Sequence, residues 1–185
     1  MRILAIADRR PQTPIKEILI REKIDLICTL GDLTFFDISE LKQISNIPKI
    51  GVYGNHCSGK YFESLSIQNL HLKTFKHQGY TFGGFQGSLR YKPGEYFMYT
   101  QKEALSLLNN FPYVDVMIAH SPPYGINDEP GDPVHAGLIA LTTYIESKMP
   151  KYFLHGHTYP ANINQTLQAG NTKIIYIFKE RIITI

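Results

Sequence analysis

Residues 49–57 read KIGVYGNHC: a short β-branched and aromatic run, Lys49 to Tyr53, broken by Gly54 and followed at once by Asn55, His56 and Cys57. An apolar run of this length suits a buried strand, and the glycine marks the turn at its end. The same pattern recurs along the chain. Ile3 to Ala7 ends on Asp8, Asp25 to Leu30 ends on Gly31 and Asp32, Val114 to Ala119 ends on His120, and Lys151 to Leu154 runs into His155, Gly156 and His157. Between the first three runs, Ile15, Ile18 and Leu19 have helical spacing, and Asp37 with Glu40 three residues on reads as the opening of another helix. The chain therefore begins βαβαβ. In an open α/β sheet the loops leaving the carboxyl ends of the strands converge on one rim, where ligands bind. The five polar clusters are expected to meet there.

Farther along, Ser58 to Leu65 suits a short helix, and Gly79, Gly83 and Gly84 punctuate aromatic residues between Thr74 and Gln86 in the manner of a hairpin. Thr100 and Glu103 form a capping box before Ala104, Leu107, Leu108 and Phe111, the apolar stripe of a helix that Pro112 ends. A further helix carries Leu138, Leu141 and Ile145 on one face, and two β runs, Lys173 to Phe178 and Arg181 to Ile185, close the chain. With no repeat and no linker, residues 1–185 read as one α/β domain of two facing sheets flanked by helices.

Composition narrows the function class. A hydrophobic share of 43% with 19% charged residues is that of a packed globule, which excludes a mainly disordered chain. Nineteen basic against sixteen acidic residues leave +3, too slight an excess to call for long nucleic acid as partner. No apolar stretch approaches a membrane span and the N-terminus has no signal-peptide pattern, so a cytoplasmic protein without a membrane partner is expected. Cys28 and Cys57 are too few for a disulfide framework or a thiolate zinc site. What remains at the strand ends is two aspartates, an asparagine and several histidines, oxygen and nitrogen donors suited to manganese, iron, zinc or magnesium. A metal site is the economical reading.

Taken in order, Asp8-Arg9-Arg10, Gly31-Asp32, Gly54-Asn55-His56-Cys57, His120 and Gly156-His157-Thr158-Tyr159 resemble the signature of the calcineurin-like metallophosphoesterases: D-x-H, G-D, G-N-H-(D/E), a lone His and G-H-x-H. The resemblance runs from Asp8 to Tyr159 and implies a four-layer α/β/β/α sandwich of two mixed sheets, with a metal centre at the sheet rim that hydrolyses phosphate esters. It implies that Asp32, Asn55, His120 and His157 hold one divalent ion, manganese or iron first and zinc, nickel or magnesium as alternatives. Asp8 and Asp32 would share in a second ion. The other two ligands of that second ion are replaced here by Arg10 and Tyr159. A guanidinium cannot ligate a cation and repels one beside it. Arg10 is therefore expected to fill part of the second ion's place, pairing with Asp8 and with a substrate phosphate. One or two ions per chain remain open.

The resemblance makes His56 the acid or transition-state stabiliser for attack by hydroxide that the ion supplies, and Arg10, which departs from the family pattern, is expected to act as a catalytic cation. Cys57 stands where the family has an acid that orients this histidine. Arg90 and Tyr91, after the glycine-rich hairpin, are expected to grip a phosphate or stack on a base. His155, two residues before His157, and His135, after the loop that follows His120, are secondary candidates with Tyr159; His71 and His77 read as surface groups. The substrate expected is a phosphate ester such as a nucleotide or other phosphodiester, its identity set by loops around residues 84–98 and 121–135. The alternative is a weakly active or inactive binding or scaffold module on the same fold, as the retromer subunit of this family suggests.

Overall fold

The structure, a computed structural model, describes residues 1–94 and 97–185. Its strands are β1 (Arg2–Ala7), β2 (Leu26–Thr29), β3 (Lys49–Gly51), β4 (Gln68–Asn69), β5 (Thr74–His77), β6 (Tyr80–Phe85), β7 (Ser88–Leu89), β8 (Met98–Tyr99), β9 (Val116–Ala119), β10 (Tyr152–His155), β11 (Thr166–Ala169), β12 (Thr172–Tyr176) and β13 (Lys179–Thr184). The α-helices are α1 (Ile15–Arg21), α2 (Gln101–Leu108) and α3 (Ile139–Lys148). One sheet has the order β13-β1-β2-β3-β4 and the other β11-β12-β10-β9-β6-β5, while β7 and β8 form a small separate pair. Both large sheets are mixed: parallel centres, with β13 antiparallel on one and β5 and β11 antiparallel on the other.

Strand alternation sorts the apolar side chains into three cores. Ile3, Ala5 and Ala7 of β1 face Val116 and Ile118 of β9 between the sheets, together with Leu26, Cys28 and Leu154. Leu4 and Ile6 point the other way and pack under Ile15 and Ile18 of α1. Met117, Ala119 and Phe153 pack outward against Ala104 and Leu108 of α2 and Leu141 and Ile145 of α3. Helices thus cover the outer face of each sheet, which is the α/β/β/α sandwich. The consequence for the site is that β1, β2, β3, β9 and β10 end along one rim.

The capping box at α2 forms: the Glu103 N–H donates to the Thr100 hydroxyl at 3.2 Å and the Thr100 N–H to the Glu103 carboxylate at 2.7 Å. Elsewhere local signals resolve differently. The helix expected after Asp37 is only a 3₁₀ turn, Ser39–Gln43, and Glu40 reaches across to accept the N–H groups of Ile15 and Lys16 at the start of α1. The short helix expected over 58–65 is reduced to a 3₁₀ turn at Glu63–Leu65. The two C-terminal β runs belong to different sheets, because the chain crosses between Tyr176 and Lys179, the latter left-handed at φ 58°. Edge strands β4 and β11 are short and largely exposed, so neither carries an apolar alternation that a sequence reading could use.

Candidate functional site

Three site residues sit in the left-handed region of backbone space: Asp8 at φ 63°, Asp32 at 50° and His157 at 73°. Each follows closely on a strand end, and each costs of order 1 kcal/mol that the surrounding fold must offset. The turns are tight because of the glycines beside them. A Cβ on Gly54 would lie 2.2 Å from the Asp32 carboxylate, and one on Gly31, itself at φ +96°, would lie 2.4 Å from the Gly54 nitrogen. Only glycine lets these two loops close on each other.

Within this rim Asp32, His120 and His157 each bring one donor atom to within 4.8 Å of the others. His120 is fully buried. Its Nδ1–H donates to the Leu30 carbonyl at 2.8 Å, and its Nε2 lies 3.1 Å from Asn55 Oδ1 and 3.4 Å from Asp32 Oδ2. The Asn55 amide is oriented from behind: its Nδ2 donates to the Tyr91 hydroxyl at 3.4 Å, which turns Oδ1 toward His120. His157 spends Nε2 on the Val134 carbonyl at 2.8 Å, leaving Nδ1 as its free donor. One imidazole nitrogen facing two oxygens needs a positive charge between them. Burial alone would push His120 down, but the Asp32 and Asp8 carboxylates outweigh it and hold its pKa up at about 9. Asp32 is correspondingly lowered, its burial outweighed by His120 and the His56 N–H. Burial, reinforced by His120, drives His157 down to about 3, which keeps its ring neutral with a lone pair to offer. A carboxylate, an amide oxygen and two imidazoles form a donor set that fits a divalent first-row metal.

Asp8 has another occupation. Both its oxygens accept the His157 backbone N–H at 3.1 Å, and burial raises its pKa to about 7. It lies beside the three-donor group and outside it. The loop that leaves it is pinned by Glu180, whose carboxylate accepts the N–H groups of Gln12 and Thr13 at 2.7 and 2.9 Å.

A cavity of about 290 Å³ opens above these residues, lined by Asp8, Arg9, Asp32, His56, His135, His157 and Tyr159, with Val134. The guanidinium here belongs to Arg9. Arg10, the expected catalytic cation, is exposed and is not among the residues lining the cavity. The left-handed turn at Asp8, closed by the Arg9 N–H on the Ala7 carbonyl at 2.7 Å, puts the first residue after it, itself exposed, on the wall of the cavity. His56 is exposed at the mouth, its backbone N–H donating to Asp32 at 2.9 Å. Tyr159 is half-exposed there beside Arg9 and meets the His135 ring edge-on at 5.8 Å. His135 overhangs the mouth from the loop after His120, its Nδ1 paired with Asp132 at 2.6 Å.

Other expected contacts turn away from the cavity. Arg90 pairs with Glu103 at 3.1 Å and donates to the Met98 carbonyl, so its charge is engaged outside the pocket. The Tyr91 hydroxyl accepts the Asn55 amide N–H at 3.4 Å. His155 is buried with Nδ1 on the Gly156 carbonyl and Nε2 receiving the Asn127 amide, which satisfies both nitrogens. Cys57 tucks its sulfur against the Gly54 N–H and the Tyr61 hydroxyl, 3.2 Å from each, and burial raises its pKa. It therefore offers no acid to His56. His71, expected at the surface, is half-buried between Gln86 and Tyr99. Arg9 was missed because the motif pattern directs attention to position 10. Of the segment 84–98, Glu95 and Tyr96 lie outside the described residues.

The architecture is the α/β/β/α sandwich of metallophosphoesterase-like folds. Neither a protein-family model nor a curated protein sequence matches the chain. Among solved structures it is similar to TT1561 of Thermus thermophilus, at 17% identity and TM-score 0.62, covering 95% of this chain and 88% of that one. It is similar also to a hypothetical protein of the same organism, at 16% identity, coverage 96% and 75%, and TM-score 0.56. A third likeness is to GAP50, the anchor in the inner membrane complex of Plasmodium, at 13% identity, coverage 95% and 70%, and TM-score 0.55. Among the described residues no helix is long and apolar enough to cross a membrane.

Proposed function

We propose that this chain is a metal-dependent phosphoesterase acting on phosphodiesters, with one divalent ion, manganese or iron, held by Asp32, Asn55, His120 and His157. The observation that carries the reading is the convergence of Asp32, His120 and His157 donor atoms within 4.8 Å, with the Asn55 oxygen turned onto the same imidazole at 3.1 Å. Leu30 and Val134 carbonyls fix both imidazoles by their second nitrogens, the usual support of a metal-binding histidine. A divalent ion there would polarise a phosphoryl oxygen and acidify a water.

The chain's own residues supply the rest. Arg9, beside Asp8 and Tyr159, places a fixed positive charge where a second ion would otherwise stand and can take a phosphoryl oxygen. Asp8 holds the His157 backbone in its left-handed turn, which directs that side chain into the group. His56 stands at the mouth with an exposed imidazole, suited to protonate the departing oxygen. Tyr91 keeps the Asn55 oxygen forward.

The test is hydrolysis of bis(p-nitrophenyl) phosphate. Turnover should require manganese or iron, disappear in His157→Ala, fall in His56→Ala and persist in His77→Ala, whose ring lies against the Asp25 carbonyl in the hairpin. A second reading is favoured by Arg9 and Tyr159, which stand where donors would be needed for a two-ion clamp: a binding module that holds phosphate without turning it over. Protein that binds one ion and phosphate yet stays inert would establish that reading instead.

A further inference from the structure

The cavity at the rim does not end at His56. On the far side of that residue lies a second concavity of about 450 Å³, and His56 lines both. Its walls are mostly apolar, with Phe35, Phe36 and Tyr61 among them, and its polar members include Ser58 and Lys60. Among the described residues no carboxylate lines it, and Lys60 adds a positive charge to its rim. Phe36 is 80% exposed.

That exposure is built into the fold. Phe35 and Phe36 sit at the apex of a turn tied by three hydrogen bonds: the Thr34 N–H and hydroxyl both donate to the Asp37 carboxylate, at 2.8 and 2.7 Å, and the Asp37 N–H donates to the Thr34 hydroxyl at 3.3 Å. Phe35 turns inward and packs against the core beneath α1, while its ring meets Phe36 edge-on, centroids 5.6 Å apart and planes at 89°. Phe36 is thus braced from below with a face left open. An aromatic ring held in this way needs little further ordering when a flat partner stacks on it.

We infer that this second concavity is a subsite for a planar aromatic group, a nucleobase, carried on the leaving oxygen of the phosphate ester, with Phe36 as its specificity-determining residue. The inference rests on the phosphoesterase reading. His56 marks the side on which the ester oxygen departs, and whatever that oxygen carries must pass His56 into the adjoining space. That space offers an aromatic face, a hydroxyl at Ser58, and at Lys60 a cation placed for a further phosphate. This is the chemistry of a nucleotide, anionic at intervals with a flat base between.

Calorimetric titration of the manganese-loaded protein tests it with three probes: inorganic phosphate, methyl phosphate and adenosine 5′-monophosphate. The nucleotide should bind about tenfold or more tighter than methyl phosphate, as expected for a base on an aromatic platform. Phe36→Ala should remove most of that advantage, leave methyl phosphate unchanged, and be rescued by Phe36→Trp. A nucleotide that binds no tighter than methyl phosphate, or an advantage that survives Phe36→Ala, overturns the subsite while the metal centre stands. Phosphate and methyl phosphate that fail to bind with manganese present overturn the phosphoesterase reading, and the subsite with it. If Phe36→Ala instead dissociates an oligomer and leaves nucleotide affinity intact, the groove is a contact between copies of the chain, and the inference is wrong.

Discussion

The Nε2 of His120 lies 3.1 Å from the Oδ1 of Asn55, although these residues are 65 positions apart and neither atom can donate to the other while the neutral imidazole keeps its proton on Nδ1, toward the Leu30 carbonyl. Asp32 Oδ2 lies 3.4 Å from the same nitrogen. Three lone-pair atoms around one point are held apart unless a cation joins them. A divalent ion held there would join them.

Metal binding should therefore stabilise the fold. At a hundredfold excess of manganese over its dissociation constant the gain is about 2.7 kcal/mol, which for a chain of this size raises the melting temperature by roughly 5–10 °C. His157→Ala and Asn55→Ala should abolish the shift and bring bound metal, measured by elemental analysis, from about one per chain to near none. A melting temperature indifferent to manganese in the native chain would remove the basis for the site.

Arg9 and Arg10 are both exposed, and of the two only Arg9 lines the cavity. Arg9→Ala should weaken inhibition by inorganic phosphate by about tenfold, the order of one charge-assisted hydrogen bond. Arg10→Ala should leave it unchanged, since that residue does not line the cavity. Equal effects of the two substitutions would overturn the assignment of the cavity's positive charge to Arg9.

Glu40 reaches the first turn of α1, where its carboxylate accepts the Ile15 and Lys16 N–H groups at 3.3 and 3.0 Å. Glu40→Ala should cost about 1 kcal/mol, the usual loss for a helix cap, and lower the melting temperature by a few degrees. Metal content should not change. Urea denaturation with and without manganese reads both quantities.

His71 sets a pH dependence away from the metal site. Its Nδ1 accepts the Gln86 N–H at 3.2 Å, so the neutral ring carries its proton on Nε2, beside the Tyr99 hydroxyl. Burial, with Lys73 nearby, pushes its pKa down to about 4 from the ordinary 6.5. The unfolded chain takes up this proton first, so stability is full above about pH 6.5 and falls as the pH drops toward 4. His71→Asn should flatten that part of the profile in urea titrations. A variant with the native slope would place the acid sensitivity elsewhere.

Much of the architecture follows from short-range pattern. The runs ending at Asp8, Asp32, His120 and His157 are buried on both faces, and buried parallel strands announce themselves as unbroken apolar stretches. The Thr100–Glu103 box is equally local and forms as its spacing predicts. Asp37 and Glu40 present a similar signal and do not form a box: Asp37 closes its own turn with Thr34, and Glu40 caps a helix 24 residues upstream. Spacing shows that a side chain can cap, and the fold decides which N–H groups stand in front of it.

The sequence alone determined the donors and their order: aspartates, an asparagine and histidines, each just past a buried strand, with glycines where two loops must touch. Tertiary structure decided their directions. The left-handed turns at Asp8, Asp32 and His157 put Arg9 on the wall of the cavity in place of Arg10, commit the Asp8 carboxylate to the His157 backbone and bring Tyr91 behind Asn55. The reason is physical. Periodicity fixes where a chain is buried, but a positive φ at a non-glycine residue persists only when distant contacts enforce it, and no local pattern encodes those contacts.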